Sequence, residues 1–201
     1  MSCVNIRGCR IGEGRPKVIL PIVERTEAAI LEKAAQFSTL LADCVEWRAD
    51  WFEGFQSPAA IARCVQKLRV AAGQASAGDL SYQAEGGEQA LSHKEYLAFL
   101  HLILDTDCAD LLDIEFFTAG ADLPKLVEQA HSAGVAVVCS SHDFAKTPPR
   151  AELVSRMVQM QQAGADLPKL AVMPQCRTDV LELLAATARW PTFTRKHRSL
   201  P

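Results

Sequence analysis

VAVVCSSHDFAKTPPRAELVSRMVQMQQAGADLPKLAVM, residues 135–173, decides the fold. Its first six residues (VAVVCS, 135–140) are rich in β-branched side chains, which predicts a strand. A helix follows over 149–163 and closes at Gly164. A short apolar run, LAVM at 170–173, then predicts a second strand. Strand, helix and strand at this spacing make one parallel βαβ step.

The same alternation extends in both directions. Strands are predicted at 17–23 (KVILPIV), 45–52 (VEWRADWF) and 111–117 (LLDIEFF). Helices are predicted at 26–42 with Thr26 as cap, from Ser57-Pro58 to about residue 70, at 92–104, at 123–132 and at 178–188. Ser92 with Glu95 forms a capping-box pattern, and Pro58 suits a first helical position. The order predicts an α/β protein with a parallel sheet, and by itself leaves open whether that sheet is flat or closed into a barrel. One stretch breaks the pattern. Residues 70–83 (VAAGQASAGDLSYQ) lie where a third strand belongs, yet their composition is that of a loop. Residues 190–201 (WPTFTRKHRSLP) form an atypical basic tail after Pro191. The whole chain, 1–201, reads as one domain.

The composition is that of an ordinary globular protein, 49% apolar and 22% charged, with net charge -3. That balance points away from nucleic acid and from anionic membrane surfaces. No run of about 18 apolar residues predicts a membrane span. Seven scattered cysteines, an odd number without C-x-x-C, favour reduced thiols in the cytoplasm over disulfides or zinc. The five histidines show no metal-ligand spacing, so no metal site is expected.

Several residues could carry chemistry. Glu46, Arg48 and Asp50 share one face of their predicted strand, and Trp47, Ala49 and Trp51 the other. Three charges there imply either an internal ion-pair network or a polar pocket at a strand end. His142, in SSHD directly after VAVVC, is placed as a general base or as a satisfied structural histidine. GADLPKL occurs twice, at 120–126 and 164–170. Its first copy leads into a helix, so Lys125 is expected in solvent. The second leads into LAVMP, so Lys169 is expected at a buried strand, either paired with a carboxylate such as Glu46 or desolvated and nucleophilic. Glu85, in EGGE at 85–88, sits in a turn or orients a histidine.

Together the segments GEGRPKVILPIV (12–23), VEWRADWFE (45–53), AEGGEQALSHKEYL (84–97), DLLDIEFF (110–117), VAVVCSSHDFAKTPP (135–149) and MQQAGADLPKLAVMP (160–174) resemble the type I 3-dehydroquinate dehydratase family, in that family's order. The resemblance implies a (β/α)8 TIM barrel with its site at the C-terminal ends of the strands. It implies that Lys169 forms an imine with the ketone of 3-dehydroquinate, that His142 moves protons, and that Glu85 holds His142. It also implies that Glu46, Trp47 and Arg48 line the substrate site. The reaction would be loss of water to give 3-dehydroshikimate, in the shikimate route to aromatic amino acids, with no metal or diffusible cofactor. A homodimer is a possible assembly.

Two departures from the family stand out. No arginine precedes Glu85, where LSYQ stands at 80–83. The chain also carries no counterpart of the family's seventh and eighth strands, which bring a further arginine and residues that close over the substrate. The expectation is an incomplete barrel, with its third strand in doubt and its last two strands missing, and with low solubility and little or no activity. Two other readings remain: a class I aldolase, which would also want a strand lysine, and a non-catalytic remnant.

Overall fold

The computed structural model describes residues 3–37, 39, 40, 42–73, 77–81 and 87–189, with the backbone alone at 77–81. The described chain opens with a small antiparallel hairpin, β1 (Val4–Ile6) and β2 (Cys9–Ile11). Six strands then form one parallel sheet: β3 (Ile19–Ile22), β4 (Cys44–Arg48), β5 (Ala77–Ser81), β6 (Leu111–Glu115), β7 (Ala136–Asp143) and β8 (Leu167–Val172). The helices are α1 (Glu27–Phe37), α2 (Pro58–Ala71), α3 (His93–Asp105), α4 (Phe116–Ala119), α5 (Leu123–Ser132), α6 (Arg150–Gln162) and α7 (Arg177–Arg189). Local chemistry fixes several of their ends. The Ser57 side chain accepts from Ala60 N ahead of α2, and Ser92 and Glu95 complete a reciprocal capping box on α3. After α5 the chain turns at Gly134, whose φ of +75° favours glycine.

The strands lie side by side in sequence order, β3-β4-β5-β6-β7-β8. That order separates the two architectures left open above. A doubly wound open sheet reverses its order so that helices cover both faces. Right-handed crossovers that always step the same way leave every helix on one face, and the bare face becomes the inside of a barrel wall.

Each face of the sheet has its own packing. On the helix side, Trp47, Leu112, Ile114, Val137 and Cys139 meet Ile61 and Val65 of α2, Leu100 and Ile103 of α3 and Val127 of α5, all buried. On the inner side, Cys44, Leu111, Ala136 and Val138 pack against Ile6 of the hairpin, with Leu167 beside them. The hairpin therefore stoppers the N-terminal end of the barrel. Its turn, Arg7-Gly8, has φ of 48° and 81°, the conformation that two-residue hairpins prefer. Arg7 is tied down by Asp110 at 3.1 Å and by the Gly73 carbonyl at 3.2 Å.

Three expectations need correction. Residues 77–81 are not loop: β5 pairs with β4 over five residues and with β6 through Asp79 and Leu80. A strand hydrogen-bonded on both sides is held by its backbone, so apolar alternation in AGDLS is not required. The second predicted strand ends early, because residues 49–51 turn into a 3-10 helix that lifts Asp50 off the face of Glu46 and Arg48. Lys169 does not precede its strand but is the third residue of β8. The hairpin at 4–11 was not anticipated, since three-residue strands carry too little pattern. Among the described residues, no helix is long and apolar enough to cross a membrane.

Candidate active site

The inner face changes character along each strand. Cys44, Leu111, Val138 and Leu167 form an apolar floor over the hairpin. Side chains repeat with period 2, so the next inward residues are Glu46, Asp113, Ser140 and Lys169, and above them stand Arg48, Glu115 and His142. The polar residues thus collect at the C-terminal ends of the strands, where barrels of this kind place their chemistry.

Lys169 lies at the centre. Its Nζ is 3.0 Å from Asp113 Oδ2 and 3.3 Å from Glu46 Oε1. The expectation of a lysine dried out by burial does not hold, because its side chain keeps 37% of its exposure. Its partners are carboxylates, as the ion-pair alternative required. Asp113 is nearly sealed, and Ser140 Oγ donates to its second oxygen at 2.5 Å. Burial pushes the Asp113 carboxyl above the usual carboxylate range, against the opposing pull of Lys169 and Ser140.

One strand away, the buried His142 Nδ1 is 3.6 Å from Glu115 Oε1. Glu115 is fixed from two sides: Thr118 Oγ1 donates to its carboxylate at 2.8 Å, and its backbone N–H donates to Tyr96 OH at 2.9 Å. The His142 ring stacks on Phe144 with centroids 6.0 Å apart. In the β7–β8 register Ser140 pairs with Lys169 and His142 with Ala171, so the histidine stands one layer above the lysine on the neighbouring strand. Arg48 is held by Asp50 through two contacts of 2.8 Å. Asp50 in turn accepts from Glu88 N at 3.1 Å, which ties residue 88 to this side of the site.

Lys169, His142, Glu46 and Arg48 thus share the inner face of the sheet. Trp47 does not join them, because its odd position points it to the helix side, where it is fully buried against Phe52. Glu85 lies outside the described residues. Sequence reasoning passed over Asp113 and Glu115. Their signal was present in DLLDIEFF, two carboxylates two residues apart in an otherwise apolar strand. Among the described residues, no cluster of three or more His, Cys, Asp or Glu is arranged to hold a metal.

Comparison with known proteins gives the family. The family model for type I 3-dehydroquinase matches residues 18–196. A 3-dehydroquinate dehydratase of Bacillus licheniformis is 41% identical over 98% of this chain and 77% of its own length. The solved structure of 3-dehydroquinate dehydratase from Enterococcus faecalis superposes with a TM-score of 0.91 at 40% identity, covering 96% of this chain and 81% of that one. A type I 3-dehydroquinate dehydratase from Clostridium difficile, solved with covalent modified comenic acid, gives 0.88 at 37% identity over 92% of this chain and 74% of that one.

Proposed function

The chain belongs to the type I 3-dehydroquinase family, and from that premise we propose that Lys169 and His142 carry out the family's reaction on the inner face described above. That reaction is the loss of water from 3-dehydroquinate to give 3-dehydroshikimate, a hydro-lyase step of the shikimate pathway. The Lys169 amine attacks the substrate ketone, and loss of water leaves a protonated imine. The imine draws electrons, so the neighbouring carbon becomes acidic. His142 removes a proton there, the electrons run into the ring towards nitrogen, and the resulting enamine expels the hydroxyl one carbon further on. His142 returns its proton to the departing oxygen. Hydrolysis of the imine then frees the product and Lys169. The imine is the electron sink, so this route calls on no metal or diffusible cofactor.

The observation that carries the reading is the placement of Lys169 and His142 on adjacent strands of one polar inner face. Glu115 supports His142 by standing 3.6 Å from its Nδ1, where it can steady the ring. Glu85 is assigned the orientation of His142, and Glu46 and Arg48 the binding of substrate hydroxyls and charge. Trp47 is assigned to the wall behind them. The covalently modified acid in the Clostridium difficile relative supports a covalent route.

Incubation with 3-dehydroquinate and borohydride tests the assignment. The expected result is a reduced adduct on Lys169 by peptide mass spectrometry, lost in Lys169→Ala. Appearance of the conjugated enone, followed by ultraviolet absorbance, should be abolished in Lys169→Ala and lowered by about 10²–10⁴-fold in His142→Ala, the range for loss of a positioned acid–base. An adduct elsewhere, or none, overturns the role of Lys169.

A further inference from the structure

We propose that Asp113 is the group that takes the proton from Lys169, so that the amine can attack the ketone. The inference rests on Lys169 being the imine-forming residue. Its basis is a conflict within the site. An ammonium with carboxylates at 3.0 and 3.3 Å is stabilised in its charged form, and a charged amine has no lone pair to give. The proton therefore needs a destination within reach.

Of the two carboxylates that the described residues place beside Lys169, Asp113 is the better acceptor. It makes the shorter contact, and its side chain is 3% exposed against 15% for Glu46. Water does least for the charge of the more buried carboxylate, so that group gains most by becoming neutral. The carboxyl is already pushed up by burial while the Lys169 charge pulls it down. Once the proton crosses, that pull ends and Asp113 holds the proton more firmly. The charged and titratable groups around it among the described residues have other commitments. Arg48 of β4 is committed to Asp50, and Glu46 raises Asp113 further. Glu115 of the same strand faces His142 of β7. Tyr96 of α3 and Cys139 of β7 are pushed up by burial and stay neutral. Ser140 Oγ donates to the oxygen of Asp113 that Lys169 does not use.

The step balances. The Lys169 ammonium passes a proton to Asp113, and the freed lone pair forms the C–N bond while the C=O electron pair moves to oxygen. The adduct nitrogen then sheds a proton, the oxygen receives two and leaves as water, and the protonated imine remains. Ammonium and ketone have become iminium and water, with no net proton exchanged with solvent.

A consequence follows for pH. The fraction of neutral amine made by internal exchange depends only on the relative proton affinities of the two groups. For a lysine that must lose its proton to solvent, that fraction instead rises tenfold per pH unit. Reductive methylation with formaldehyde and cyanoborohydride, quantified peptide by peptide from pH 6.5 to 8.5, reads this directly and needs no substrate recognition. Wild-type Lys169 should label at a nearly constant rate, while a free lysine derivative in the same mixture climbs about tenfold per unit. In Asp113→Asn the Lys169 profile should acquire that slope. Ser140→Ala should label faster than wild type with a flat profile, because Asp113 then loses a hydrogen bond to its charged form. A steep wild-type profile, a flat profile in folded Asp113→Asn, or slower labelling in Ser140→Ala overturns the proposal. Should Asp113→Asn not fold, as judged by circular dichroism, the wild-type slope and Ser140→Ala decide. A parallel arm with 3-dehydroquinate in place of formaldehyde isolates the functional reading. No adduct there, beside a flat formaldehyde profile, sinks the substrate assignment and leaves the proton transfer standing.

Discussion

Glu46 and Trp47 are neighbours in the chain and part company in the fold. Period-2 alternation sends Glu46 to Lys169 and Trp47 into the layer between sheet and helices. The indole is fully buried there, edge-on to Phe52 at 5.8 Å. Trp47→Ala is therefore expected to cost about 3–5 kcal/mol of stability, as for other buried aromatic truncations. Urea denaturation measures it; a residue that merely lines the pocket would lose far less. Which residues of the site were legible follows from the same geometry. Lys169 and His142 stood out because each borders an apolar run of the sequence in a specific motif. Asp113 and Glu115 were hidden inside an apparently simple apolar strand. Their partners, Lys169, Ser140 and His142, come from strands that only the fold brings alongside.

At the scale of elements, the strands that announced themselves were those with a continuous run of β-branched apolar residues, such as β7. β5 did not, because AGDLS is held by pairing with β4 and β6 rather than by its own pattern. No local window contains that information. The start of the sheet is similarly held by a contact distant in sequence. Asp43, just before β4, accepts from Val18 N at 2.8 Å and from Arg15 at 3.0 Å. The Val18 hydrogen bond, aided by Arg15 and Lys17, holds its carboxyl below the usual carboxylate range. A folded value depressed below the unfolded one means stability present above about pH 4 and lost as pH falls through the folded value. Asp43→Asn should accordingly lower the melting temperature at pH 7, and the gap to wild type should close towards pH 3. A gap that stays constant across the series would show that ionisation of Asp43 contributes nothing.

At the scale of the molecule, the described sheet has two edges, β3 and β8. Ile19 and Val23 lie exposed at one, and Met173 at the other, with Val180, Leu181 and Leu184 exposed on α7. Unpaired edges beside apolar surface invite association. The 201-residue polypeptide is expected to scatter more light and to run at larger apparent mass as its concentration rises. Elution as a monomer independent of concentration would contradict this. The stopper at the opposite end has a consequence of a different kind. Arg7 and its partner Asp110 stand 103 positions apart, and Ile6 reaches a floor that includes Val138. On the ribosome the hairpin has nothing to seat against until most of the barrel wall has emerged. A segment made before its seat is thus among the last to settle, and a chain paused midway should leave it open to a protease that the finished barrel resists.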